Sequence, residues 1–133
     1  MLYLLDTNAC IRILNNSSAQ LIARIKQEVS SNIRICSVVK AELIFGARNS
    51  KCSADNLRTL QTFFQPLISL PFDDLCADEY GTLRADLVRR GAIIGANDMM
   101  IAATAIANQC TLVTPNIREF SRVIGLQIED WEV

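Results

Sequence analysis

Hydrophobic residues along the chain form short runs that are separated by longer amphipathic stretches. The runs predict strands at Leu2–Leu5, Ile33–Cys36, Leu67–Leu70, Thr111–Thr114 and Leu126–Ile128. In most of the stretches between them, apolar residues recur three or four positions apart, as on one face of a helix. Strands that alternate with helices are typical of a mostly parallel sheet covered on both faces. The pattern therefore predicts an α/β fold with three layers, α/β/α.

The amphipathic stretches predict helices whose ends are marked by capping residues, glycine or proline. The predicted helices are Thr7–Asn15, one capped by Ser17 or Ser18, one capped by Ser37 with apolar positions Val38, Ala41, Ile44 and Phe45, Asn56–Gln65, one from Asp73 to Gly91, Met99–Ala107, and a turn at Asn116. Gly46 and the polar stretch 48–55 are expected to break the third of these. Met99–Ala107 is apolar on all sides and is expected to be buried. No linker or repeat divides the chain, so residues 1–133 are predicted to form one domain.

Composition narrows the chemistry that the protein can perform. Half of the 133 residues are hydrophobic, which excludes global disorder. Thirteen basic and 14 acidic residues give a net charge of −1, so nucleic acid would have to be bound by a local basic patch. Histidine is absent, which excludes Ser-His-Asp and Cys-His triads and zinc held by histidine. Carboxylates, hydroxyls, thiols and amines remain.

The cysteines and the apolar runs predict a cytoplasmic protein without a membrane partner. There are five cysteines, and none are paired as Cys-x-x-Cys. We expect them to be small buried residues in a reducing compartment, although a zinc site built from four thiolates stays open. The run Leu2–Leu5 meets Asp6 without a basic leader, unlike a signal peptide. No run approaches the roughly 18 apolar residues of a membrane helix.

Acidic residues follow the predicted strands where the chain enters the next helix. Asp6 follows the first strand, and Glu42 lies about one and a half turns into the helix after the second. Asp98 begins the apolar helix, and Glu119 comes three residues after Asn116, beyond the fourth strand. Ligands bind beyond the carboxyl ends of the strands in open α/β sheets. The acids are therefore expected to approach each other at one edge.

Each of these acids, taken alone, also fits a structural role. Asp6 can cap a helix, Asp98 is favoured near a helix N-terminus, and Asn116 with Glu119 matches the spacing of a capping box. Together they favour a different interpretation, because neighbouring carboxylates need a counter-charge. Without histidine, a hard divalent ion such as Mg²⁺ or Mn²⁺ is the expected one. Such an ion can activate water and neutralise a phosphate, which suits phosphodiester hydrolysis.

Five blocks of the chain, in order, resemble the PIN domain, and most closely the VapC-type toxin ribonucleases of bacterial type II toxin–antitoxin systems. The blocks are Leu4-Leu5-Asp6-Thr7-Asn8, Ser37 with Glu42-Leu43 and Gly46, Gly95 with Asp98 and Ile101-Ala102-Ala103, Leu112-Val113-Thr114 with Asn116 and Glu119-Phe120, and Gly125-Leu126 with Glu129-Asp130-Trp131. The resemblance covers essentially the whole chain and implies the same three-layer fold.

The resemblance also implies an activity and a set of site residues. It implies an endoribonuclease that depends on Mg²⁺ or Mn²⁺ and cleaves RNA, with tRNA among the candidate substrates. Asp6, Glu42 and Asp98 would bind the metal. Many members carry an aspartate near the position of Asn116, so Glu119 is the fourth catalytic candidate here. The residues expected to support these acids are Thr7, Asn8, Ser37, Thr114 and Asn116.

The partners implied by the resemblance are RNA, a cognate antitoxin and a second copy of the chain. Arg84 and Arg118 are expected to contact RNA phosphates, because guanidinium groups pair with phosphate in a bidentate manner. The antitoxin would insert a basic side chain among the acids and dock on apolar residues of the early helices. The residues expected at that surface are Ile11, Leu14, Leu21 and Ile22. A non-catalytic RNA-binding or assembly module on the same fold remains the alternative.

Overall fold

A parallel sheet of five strands lies at the centre of the computed structural model, which describes residues 1–133. The strands are β1 (Leu2–Leu5), β2 (Ile33–Cys36), β3 (Ile68–Leu70), β4 (Cys110–Val113) and β5 (Ile128–Glu129). Their order across the sheet is β3-β2-β1-β4-β5, and every neighbouring pair is parallel. Leu5 lies opposite Val113 in the register. The chain therefore leaves β1 and β4 at the same edge, side by side.

Seven helices flank this sheet, which confirms the predicted α/β/α architecture. They are α1 (Thr7–Leu14), α2 (Ala19–Gln27), α3 (Ser37–Arg48), α4 (Ser53–Phe64), α5 (Asp74–Arg89), α6 (Ala96–Ala107) and α7 (Ile117–Phe120), with a 3₁₀ turn at Ser30–Asn32. None of them combines the length and the apolar character that crossing a lipid bilayer requires.

Three helices begin at the side chains that the sequence predicted as caps. Asp6, Ser18 and Asp73 each accept a hydrogen bond from the backbone N–H three residues further along. The prediction for Ser37 was wrong. Ser37 is the first residue of α3, and Cys36 precedes it in an extended conformation without a side-chain cap. The buried strand β2 runs directly into this helix, so the entry is set by packing of the backbone and not by a capping hydroxyl.

The helix α3 also continues past Gly46, which was expected to break it. Leu43 and Ala47, on either side of this glycine, are both buried in the core and hold the last turn in place. Burial of an apolar face commonly outweighs the helix-breaking tendency of one glycine, which is worth about 1 kcal/mol. The polar break is accordingly shorter than predicted, and α4 begins already at Ser53.

The apolar helix α6 is buried as predicted, with Ile101, Ala102 and Ala103 fully inaccessible to solvent. It begins earlier than expected, at Ala96, and follows Gly95. Asp98 therefore lies within the first turn and is not the cap. Its carboxylate projects from the end of a helix that is otherwise packed into the core, which places an acid at the border between core and solvent.

The cysteines are all free, and four of the five are buried as expected. Cys52 is the exception, because it lies in the polar turn between α3 and α4 and is exposed. Trp131 is a packing residue near the C-terminus. Its ring lies 4.8 Å from that of Tyr3 on β1, and the guanidinium of Arg24 lies 4.4 Å from its centre.

Candidate active site

Asp6 lies where β1 ends, and its carboxylate is held on both sides. Its side chain is almost completely buried, with 2% exposed. Oδ1 accepts a hydrogen bond of 2.7 Å from the backbone N–H of Ala9, and Oδ2 accepts one of 2.5 Å from the hydroxyl of Thr114. The Thr114 oxygen in turn accepts from the backbone N–H of Asn116 at 2.9 Å. The orientation of Asp6 is therefore fixed by groups from two separate segments.

Burial raises the pKa of Asp6 to about 6, although several contacts oppose it. The hydrogen bonds from Thr114 and Ala9 lower the pKa, and the positive charge of Arg12 lowers it further. Desolvation disfavours the charged form of a carboxyl group, whereas donors directed at its oxygens favour that form. Asp6 is thus a carboxylate that the fold keeps charged near neutral pH through neutral donors and one remote cation.

Glu42 is attached to the same junction through Thr7. The Thr7 hydroxyl donates a hydrogen bond of 2.6 Å to Oε1 of Glu42, across two elements that are 35 residues apart in sequence. Thr7 directly follows Asp6 in the chain. The first turn of α1 therefore orients one acid by its own cap and a second acid by its hydroxyl.

Asp98 and Glu119 form the other part of the acidic cluster. The pKa of Asp98 is raised to about 6, first by burial and then by the neighbouring Glu119 carboxyl, through hydrogen bonding and through its charge. The negative charges of Glu42 and Asp6 act on Asp98 in the same direction. The four acids that the sequence placed at strand ends thus lie within electrostatic reach of one another.

The predicted supporting residues divide into two groups. Thr7 and Thr114 donate to acids, and Asn116 contributes its backbone N–H to the Thr114 hydroxyl. Asn8 and Ser37 are exposed and make no side-chain hydrogen bond. Asn116 also makes no side-chain cap on α7, so the expected capping box with Glu119 is absent.

The two arginines predicted for RNA lie on the surface. Arg118 is exposed on α7, directly before Glu119, and its side chain has no ion pair or hydrogen bond. Arg84 is exposed on α5, where its guanidinium donates to the Tyr80 hydroxyl at 3.0 Å. Arg118 is therefore an exposed cation without an ion pair, next in sequence to an acid of the cluster.

Two clefts flank Glu42. The first was not predicted, whereas the second is lined in part by two residues of the predicted docking surface, Ile11 and Leu14. One has a volume of about 590 Å³, lies between α3 and α6, and is lined by Ser37, Val38, Ala41, Glu42, Phe45, Asn97 and Met100. The other has about 420 Å³ and lies between α1, α3 and α4, with Ile11, Leu14, Leu43 and Leu60 among its lining residues. Only the helical spacing of Glu42 and Phe45, three residues apart, hinted at the first.

The donor set fits a hydrated Mg²⁺ or Mn²⁺ ion better than a closed metal cage. No three acidic or thiol side chains converge on one ligating point in the structure. Mg²⁺ typically takes one or two carboxylates and keeps several waters, so it does not need such a convergence. The available donors are oxygens only, and the mutual repulsion at Asp98 and Glu119 is the feature that a divalent cation would relieve.

Comparison with known proteins identifies the class to which this fold and its acidic edge belong. The PIN domain family matches residues 3–126, and the chain belongs to it. Within this family, the chain belongs with the VapC ribonucleases. It is 40% identical to Ribonuclease VapC2 of Rickettsia felis over 133 residues, which cover 99% of both chains. It is 37% identical to the tRNA(fMet)-specific endonuclease VapC of Salmonella typhimurium, over 97% of both chains.

Solved structures agree with this assignment. The toxin fold in the crystal structure of VapBC2 from Rickettsia felis, bound to a DNA fragment from its promoter, matches with a TM-score of 0.92 at 39% identity. The match covers 98% of this chain and 99% of that one. The DNA-bound VapBC of Salmonella typhimurium matches with a TM-score of 0.93 at 38% identity, over 98% and 99% of the two chains.

Proposed function

We propose that this chain is a metal-dependent endoribonuclease toxin that is neutralised by a cognate antitoxin. The observation that carries the proposal is the acidic cluster at the edge of the sheet. There, the negative charges of Glu119, Glu42 and Asp6 raise the pKa of Asp98. The sequence contains no histidine to act as general base. Membership of the VapC ribonucleases supports RNA cleavage as the reaction.

Asp6, Glu42 and Asp98 would hold a hydrated Mg²⁺ or Mn²⁺ ion, one or two of them directly and the rest through its waters, with Glu119 as the fourth acid. When bound, the ion supplies an acidified water and neutralises charge on a phosphate. The chain's own contribution is orientation, because Thr114 and Thr7 hold Asp6 and Glu42 in place before substrate arrives. Arg118 on α7 and Arg84 on α5 would bind RNA phosphates and offset the repulsion of the phosphates from the acids.

Initiator tRNA is the substrate that we propose to test first, because the Salmonella typhimurium relative is named a tRNA(fMet)-specific endonuclease. Purified protein is incubated with an initiator tRNA transcript and with total RNA, in Mg²⁺ or Mn²⁺ and then with EDTA. We expect cleavage that EDTA abolishes and that the variant Asp6→Asn lacks. Cleavage that survives both changes would overturn the metal mechanism, and binding without cleavage would favour the non-catalytic module.

The second cleft is the surface that we propose for the antitoxin. The related structures are complexes of VapC with VapB. Ile11 and Leu14 line the cleft, as expected for docking residues. Leu21 does not fit the earlier prediction, because it is 1% exposed and packs into the core, and Ile22 lies outside the cleft.

The antitoxin test is co-purification with the small protein encoded beside this one. Ile11→Asp is expected to weaken the complex, because it puts a charge into an apolar contact. Leu75→Asp, on an exposed part of α5 outside the cleft, is the matched control and is expected to bind normally. Equal binding by both variants would contradict the assigned surface. Sedimentation of the isolated protein tests the proposed homodimer, and cell fractionation tests the proposed cytoplasmic location.

A further inference from the structure

An aromatic residue that does not pack into the hydrophobic core lies at the rim of the cleft between α3 and α6. Phe45 has 68% of its surface exposed, although it lies on a helix whose neighbouring residue, Leu43, is buried. It comes three residues after Glu42, and residues at this spacing share a helix face. An exposed aromatic ring thus lies on the same wall as an acid of the candidate active site.

The charge of the cleft limits what can occupy it. Among its lining residues only Glu42 is charged, and no lysine or arginine is present. A phosphate would find no cation there and would be repelled by Glu42. An uncharged occupant is therefore favoured over an anionic one.

The polar groups of the cleft suit a flat heterocycle. Asn97 offers an amide and Ser37 a hydroxyl, which between them provide donors and acceptors. Met100 adds a polarizable thioether to the apolar surface. The volume of about 590 Å³ lies within the range of small-ligand sites, roughly 300–1,000 Å³. Proteins that read unpaired RNA stack bases on aromatic rings and hydrogen-bond to their edges.

We propose that this cleft is a nucleobase subsite of the RNA substrate, in which Phe45 stacks on a base next to the bond that is cleaved. The inference rests on the proposed ribonuclease function and adds a residue that sets sequence preference. Continuity with the acids supports it, since Glu42 lines the cleft and also accepts from Thr7 beside Asp6. The phosphate backbone would pass the acids while one base turns into the cleft.

A fluorescence experiment tests stacking without requiring cleavage. The variant Phe45→Trp is made in the Asp6→Asn background, and its emission is followed while an initiator tRNA transcript or a mixed-sequence single-stranded RNA is added. We expect quenching on binding, because a base stacks on the introduced indole. The Asp6→Asn protein with Phe45 intact provides the baseline from buried Trp131. Absence of quenching with both RNAs would overturn the subsite.

An abasic scan tests whether Phe45 reads one base. Transcripts that wild-type protein cleaves are remade with a single nucleotide lacking its base, at each position around the cut. One position is expected to lose roughly tenfold in kcat/KM with wild-type protein. Phe45→Ala should cleave intact RNA with a kcat/KM that is also roughly tenfold lower. Removing the base at the sensitive position should then lower the kcat/KM of this variant no further. Phe45→Tyr should restore activity, since the ring is retained.

Leu75→Ala is the matched control, because Leu75 is also 68% exposed and lies outside the cleft. It is expected to behave as wild type. If Phe45→Ala cleaves every transcript as wild type does, the subsite is wrong while the ribonuclease function stands. If Phe45→Ala turns a sedimenting dimer into a monomer and leaves the base dependence intact, a second copy covers the cleft and the proposal is overturned. Lack of cleavage by wild type would instead contradict the proposed function, and the fluorescence experiment would still decide on the subsite.

Discussion

The two halves of the acidic cluster are built differently. Asp6 is buried, and hydrogen bonds from Ala9 and Thr114 oppose the rise in its pKa that burial causes. Asp98 is only partly buried, and its neighbour Glu119 adds to the rise. Burial raises the pKa of both acids to about 6, but hydrogen-bond donors limit the rise at Asp6, whereas the Glu119 carboxyl adds to the rise at Asp98. The fold therefore supplies hydrogen-bond donors to the Asp6 half, whereas the Asp98 half is where the proposed cation would relieve repulsion between carboxyls.

Removing the charge of Asp6 is expected to have the largest effect. Asp6→Asn keeps the shape of the side chain and should lower RNA cleavage by at least about a hundredfold, since a metal ligand stabilises charge in the transition state. Circular dichroism and thermal unfolding check that the variant folds. If the variant cleaves RNA at a rate within a few fold of wild type, Asp6 caps α1 and has no role in cleavage.

The next prediction concerns the hydroxyl that holds Asp6. Thr114→Val removes the donor to Oδ2 and should cost about 10–100-fold in activity, as is typical of groups that orient metal ligands. The pKa of Asp6 should rise, so activity that needs its charge should appear at higher pH. Thr114→Ser keeps the hydroxyl and is expected to restore both rate and pH profile. A serine variant as impaired as the valine variant would mean that the methyl group packs and the hydroxyl does not matter.

A divalent ion should stabilise the folded protein by binding at the half of the cluster that contains Asp98 and Glu119. Above pH 6, where Asp98 is charged, Mn²⁺ at a hundred times its Kd should add about 2.7 kcal/mol to the free energy of unfolding. Near pH 4 the effect should largely vanish, because Asp6 and Asp98, each with a pKa of about 6, are then protonated and bind the ion poorly. The stabilisation by Mn²⁺ is measured by calorimetric melting of wild type, of Asp98→Asn and of the remote control Asp55→Asn. Equal stabilisation of all three would place the ion elsewhere.

The smallest predicted effect is the pH dependence of the metal-free protein. The pKa of Asp98 is raised from 3.8 to about 6 on folding, so between these values the folded state holds more protons than the unfolded state. The free energy of unfolding should therefore fall as pH rises through this window and stay level above it. Because Asp98 is partly solvated, we expect a change on the order of 1 kcal/mol.

Urea unfolding in EDTA, at the two ends of that window, measures this change. Asp98→Asn should reduce the dependence most, because it removes the titrating group. Glu119→Gln should reduce it less, because it removes the repulsion between the two carboxyls and leaves the burial of Asp98 unchanged. Asp6 contributes a change of the same sign, which should persist in both variants. A dependence that neither variant alters would assign all of it to Asp6 and would weaken the contrast between the halves.

Much of the fold could be predicted because its signals are local. Apolar runs located the strands, and Asp6, Ser18 and Asp73 marked helix starts. Errors arose where tertiary packing decides, as at Gly46 and at Ser37. The exposure of Cys52 and the burial of Leu21 were likewise set by neighbours distant in sequence.

In the candidate site, too, features with a local sequence signal could be predicted, whereas those set by tertiary packing could not. The rule that parallel strands end at one edge predicted that Asp6, Glu42 and Glu119 approach each other, since it needs only the position of each acid after its strand. Asp98 follows no strand, and its position was predicted from the start of the buried helix α6. The bond from Thr114 to Asp6 depends on the register in which Leu5 faces Val113, and no local pattern encodes that register. Phe45 was grouped with the apolar positions of its helix. Only its surroundings reveal that it faces solvent beside Glu42.

The pairing of β1 with β4 has a consequence for the order of events during synthesis. Asp6 leaves the ribosome before Thr114 and Glu119, which are made more than a hundred residues later. Domains fold as units once their parts are available, and contacts this distant in sequence form late. A nascent chain therefore carries the acids long before it can orient them. The ribosome that makes this protein has therefore added more than a hundred residues after Asp6 before a working cluster exists.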